Sequence, residues 1–178
     1  MTTRAAAESW LVDDAAKRHG TFDGGSSVLI IARGMPPSMA WRFEGRLTVV
    51  VHGPQNPSNL EWQGMLRDEA ARGRPENGRT LVVSYGGGPD GRQRELLARE
   101  MSSKPAPTCI MTSSALVRAI AAALLFFNRT MKVVGLDERE SAYDFLNLAA
   151  QERDAADRLR RELEAHVGIN RVSARPTP

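Results

Sequence analysis

The stretch AWRFEGRLTVVVHG, residues 40–53, decides the fold. Trp41 and Phe43 alternate with polar residues before Glu44-Gly45, and Leu47, Val49 and Val51 alternate after it. Period-two patterning on both sides of a glycine turn predicts a β-hairpin whose second strand ends at His52-Gly53. The segment 54–58 then offers Ser58 as a helix N-cap, and Leu60, Met65, Leu66 and Ala70 follow at helical spacing to a stop near Gly73.

The same strand-then-helix cycle recurs downstream. Thr80-Leu81-Val82-Val83-Ser84-Tyr85 is a short branched run of the kind found in strands covered on both faces. A glycine-rich loop, Gly86 to Gly91, leads to a helix marked by Leu96, Leu97 and Met101 that stops before Pro105. The third cycle joins Thr108-Cys109-Ile110-Met111 to a helix opening at Thr112-Ser113-Ser114 and running through Phe127. The fourth joins Met131-Lys132-Val133-Val134 to a helix beginning between Glu138 and Ser141 and carrying Tyr143, Phe145 and Leu146. Helical patterning continues past Leu148 through Ala155, Ala156, Leu159, Leu163 and Val167, and Gly168 closes it.

Four such cycles behind a hairpin predict an α/β fold, a mixed four- to five-stranded sheet with helices packed on it. Upstream, the patterning gives a helix from Thr3 to His19 bearing Trp10 and Leu11, a Gly/Ser-rich segment from Thr21 to Ser27, and a short strand at Val28-Leu29-Ile30-Ile31. The expected organisation is an N-terminal helix, linker and short strand over 1–39, an α/β domain over 40–148, a C-terminal helical extension over 149–168 and a disordered tail over 169–178.

Composition narrows the functional classes. A chain of 178 residues with 42% hydrophobic and 25% charged residues can bury one substantial core. Its net charge of +3 is small, and Arg158, Arg160 and Arg161 are interleaved with Asp157, Glu162 and Glu164, so no nucleic-acid partner is expected. The single cysteine, Cys109, excludes an intrachain disulfide and suits a reducing compartment. Glu8, Asp13 and Asp14 interrupt any signal-peptide core. The longest apolar run, Ala115 to Phe127, contains Arg118, falls short of the ~20 residues of a spanning helix, and reads as a buried core helix. The protein is therefore expected to be cytoplasmic, with no transmembrane segment.

Two places offer phosphate-binding chemistry. The loop after the strand 80–85 puts Ser84, Gly86, Gly87 and Gly88 where backbone N–H groups could cradle an anion, although it lacks the Gly-Lys-Ser/Thr ending of a P-loop. Ser113 and Ser114 open a helix, where a hydroxyl caps free N–H groups and the dipole favours negative charge. Ordinary loop geometry and ordinary capping account for both without a ligand.

Catalytic chemistry is not spelled out. The histidines, His19, His52 and His166, sit in no triad motif, and Cys109 lies in an apolar strand as an inert core thiol. Acidic pairs such as Asp13-Asp14 and Asp137-Glu138 are not joined to histidine at ligand spacing, so no metal and no cofactor is called. Trp10, Trp41 and Trp62 read as core or interface anchors.

The C-terminal helix carries a narrow, mainly apolar stripe of Leu148, Glu152, Ala155, Leu159, Leu163 and Val167 flanked by charges of both signs. Such a stripe packs either on its own domain or on a second copy or other protein partner, so a homodimer through Leu148, Leu159, Leu163 and Val167 is one expectation.

From Trp41 to Leu148 the order of elements resembles the STAS domain of sulfate transporters and anti-sigma-factor antagonists, and its looser bacterial, sporulation-antagonist-like relatives. The resemblance rests on the strand Leu47 to His52 ending in His52-Gly53, the strand Thr80 to Tyr85, the Thr112-Ser113-Ser114 helix start, and Val133-Val134-Gly135-Leu136-Asp137 followed by Glu140-Ser141-Ala142. Antagonists of that family carry an Asp-Ser pair at the helix start after the middle strand, phosphorylated by a partner kinase. Here Ser84 is the only hydroxyl near that place apart from the Tyr85 phenol and no Asp precedes it, so the resemblance does not carry a phosphorylated serine over.

The resemblance implies a non-enzymatic regulatory or scaffolding module acting through protein–protein interaction. A nucleotide- or phosphate-binding protein or enzyme using the Gly86–Gly91 loop is the alternative of a second class. A lipid or membrane-surface module, suggested by the family and by the apolar helix, is the third.

Overall fold

The computed structural model of the chain describes residues 19–22, 26–29, 36–73, 75–101, 106–125 and 130–169. Two compact units divide between Met35 and Pro36. In the first, β1 (His19–Phe22) pairs antiparallel with β2 (Ser26–Leu29). Two strands thus occupy much of the segment read as a Gly/Ser-rich loop, and β2 takes in the first half of the expected Val28–Ile31 strand. The rest of the expected N-terminal helix, and the tail from residue 170 onward, lie outside the described residues.

The second unit is built on a five-stranded mixed sheet in the order β3 (Met39–Glu44), β4 (Leu47–His52), β5 (Arg79–Ser84), β6 (Thr108–Thr112), β7 (Met131–Val134). The β3–β4 hairpin is antiparallel and turns at Gly45, whose φ of 54° suits glycine. All later pairings are parallel. The crossovers carry α1 (Asn59–Arg72), α2 (Gly91–Met101) and α3 (Ala115–Leu125). Right-handed crossovers between strands that are neighbours in both chain and sheet place these three helices on one face. The opposite face receives α4 (Arg139–Phe145) and α5 (Ala150–His166). Among the described residues, no helix is long and apolar enough to cross a membrane.

The strand register separates the two faces. Val49, Leu81 and Cys109 form one row and Val51, Val83, Met111 and Val134 the next, all buried against Tyr143, Leu146, Leu159 and Leu163 of the α4–α5 layer. On the other face, Trp41 and Val50 are buried beside Trp62 and Met65 of α1. Farther along the same row, Val82, Ile110 and Val133 are only half-buried. The α4–α5 face is sealed, whereas cover on the α1–α3 face thins from α1 toward α3.

The C-terminal helix is interrupted where the sequence pattern runs on. Asn147 adopts φ 50°, a left-handed conformation that asparagine tolerates, and ends α4. Arg79 donates from Nε to the Leu146 carbonyl at 2.8 Å, and Arg46 donates to the Asn147 carbonyl at 3.0 Å, satisfying acceptors at the break. Glu152 restarts the helix by accepting from the Ala149 N–H at 2.9 Å while Arg46 grips its carboxylate at 2.6 and 2.8 Å. Single-residue periodicity does not reveal such a break, because Leu146 and Leu148 are both buried on either side of it.

The apolar stripe of α5 packs on its own sheet. Leu148, Leu159, Leu163 and Val167 all belong to the main core, with Tyr85 and Tyr143 tied across the layer to Glu164 and Asp157 at 2.6 and 2.7 Å. Of the two packings expected for the stripe, these four side chains take the one on their own domain. Burial in the sheet removes them from any interface unless the core first unpacks.

Candidate functional site

In a parallel sheet the loops at the carboxyl ends of the strands converge on one edge, the usual place for a site. Here that edge gathers His52, Ser84 and Thr112, the glycine loop and the N-termini of α1, α2 and α3. Both sequence-derived phosphate candidates lie on it.

The glycine loop directs its polar groups inward. Ser84 is buried, donates its hydroxyl to the Gly87 carbonyl at 2.7 Å and accepts from the Gly86 N–H at 3.2 Å. The Gly87 N–H donates to the Gly53 carbonyl at 2.8 Å, and the Gly88 N–H to Asn56 Oδ1 at 3.2 Å. The N–H groups of Gly86, Gly87 and Gly88, needed for an anion cradle, are therefore committed within the protein. Glycine at 87 has a packing reason: a Cβ there would stand 2.0 Å from the Gln55 carbonyl oxygen and 2.6 Å from that of Gly53.

The loop leads into a reciprocal cap. Gln93 accepts from the Asp90 N–H at 3.1 Å, Asp90 accepts from the Gln93 N–H at 2.9 Å, and buried Gln93 Nε2 donates to the Pro57 carbonyl and Asn59 Oδ1. Asp90-x-x-Gln93 is a readable capping box that the sequence analysis passed over. Ser114 likewise caps α3, accepting from the Val117 N–H at 3.3 Å, and its own N–H donates to Thr112 Oγ1 at 3.1 Å. Ser113 is exposed beside it. The structure thus places Ser84, Gly86, Gly87, Gly88, Ser113 and Ser114 along one edge, with all but Ser113 engaged in local architecture.

His52 closes β4 and is buried, stacked on Trp62 at a ring separation of 6.3 Å. Its Nδ1 and the Trp62 Nε1 have no hydrogen-bond partner. Burial pushes the imidazole down to about 4 against the opposing pull of Glu61, so it is neutral near pH 7. A neutral ring wedged under a helix is a packing group. Cys109 is buried, and that burial is the main reason its thiol is pushed up to about 12.

A shallow depression of about 360 Å³ lies between Leu136 and Ser141 and beside Arg160. Both of its arginines are already paired: Arg139 with Glu140 and Asp157, and Arg160 with Glu164. Among the described residues, no cluster of His, Cys, Asp and Glu has the makings of a metal site.

The feature that the sequence did not foretell is the outer face of α3. The run Ala115 to Phe127 reads as a buried core helix, yet Leu116 is 68% exposed and Ile120 38%. Ala115, Arg118 and Ala119 are exposed alongside them, and of residues 115–121 only Ala121 is buried. A run so rich in apolar residues does not show from its composition which side faces out. No family model, curated protein or solved structure matches the chain.

Proposed function

We propose that the protein is a non-enzymatic binding module of STAS-like build, acting by docking, with the outer face of α3 as its contact surface. The observation that carries this reading is the exposure of Leu116 and Ile120 on one helical face, spaced at i and i+4. Each large aliphatic side chain left in water forgoes about 1.5–3 kcal/mol of burial, so an apolar helix presented outward gains most when something covers it. The committed amides of the glycine loop weigh against the phosphate-binding alternative.

The test is a double variant, L116E/I120E, compared with the unaltered chain for any complex it forms with itself or with a component co-purified from its native cells. Loss of the complex with retained folding supports docking through α3. A complex that survives the variant moves the contact elsewhere, and robust turnover of a small molecule overturns the non-enzymatic reading.

A further inference from the structure

We draw no further inference here: the strongest candidate, the exposed aliphatic face of α3 at Leu116 and Ile120, belongs to the docking surface already proposed, and nothing in the structure shows what covers it.

Discussion

Glu61, in the first turn of α1, holds the entry of the chain into the sheet at Ser38. Its carboxylate accepts from the Ser38 N–H at 2.8 Å and the Ser38 hydroxyl at 2.7 Å, and it completes the capping box with Ser58 at 2.7 Å. The carboxylate is buried, which alone would raise its pKa, yet the donors from Ser58 and Ser38 bring it below the ordinary value. Removing it strands several donors at once. Glu61→Ala is expected to cost about 2–4 kcal/mol, and Ser38→Ala less, read from urea unfolding at neutral pH.

His52 gives the protein an acid-side weakness. Its native pKa of about 4 lies below the ordinary histidine value of 6.5, so folding favours the neutral ring. The stability is complete above pH 6.5 and is lost progressively as the pH falls to 4, by about 3 kcal/mol at most. His52→Leu removes an unpartnered buried nitrogen, and its denaturation midpoint should change less with pH across that window than that of the unaltered chain.

Glu152 adds a second acid transition lower down. The hydrogen bond from Arg46 is the main reason its carboxyl lies at about 2 rather than 4.5, with burial opposing and the Ala149 N–H assisting. The contribution is present above pH 4.5 and disappears as the pH falls toward 2. Because the pair is partly solvated, Glu152→Gln is expected to cost only about 1 kcal/mol at neutral pH, and mutant and parent should converge in acid.

Neighbouring glycines should respond in opposite ways. Gly87→Ala forces a Cβ into the Gln55 and Gly53 carbonyls and should destabilise by about 2–4 kcal/mol. At Gly88 nothing lies within 4 Å of an added Cβ, and Gly88→Ala should stay within about 0.5 kcal/mol of the parent. Paired thermal melts decide it: equal losses would mean that the loop is not held as described.

Cys109 provides a built-in reporter. Buried in β6, with its thiol pushed up to about 12, it should resist aromatic disulfide reagents in the native state and react fully in denaturant. Rapid native labelling would contradict the sealed α4–α5 face.

The elements were largely legible because their signals are local. Alternation around Gly45, branched runs at 80–85 and 108–111, and caps at Ser58 and Gly73 each rest on a few adjacent residues. What stayed hidden depends on distant partners. Asn147 ends α4 in a setting built by Arg46, about a hundred positions earlier in the chain, and by Arg79, about seventy earlier. Leu159 and Leu163 show the same limit from the other side, since a stripe at helical spacing fits its own sheet as well as a second copy. The glycine loop shows the same limit. Glycine and serine advertise a phosphate loop in sequence, but only the fold shows Gly53 and Asn56 already receiving the amides.

The order of strands in the sheet, identical to their order in the chain, has a consequence for synthesis. Each of β4 to β7 emerges from the ribosome with the previous strand's edge waiting for it, so the sheet can grow vectorially. Its α4–α5 face cannot be closed in the same way, because α4 and α5 are made after every strand. Until they arrive, Leu81, Val83, Cys109 and Met111 have no cover on a nearly finished sheet. The nascent chain is thus most in need of a chaperone between the emergence of β7 and that of α5.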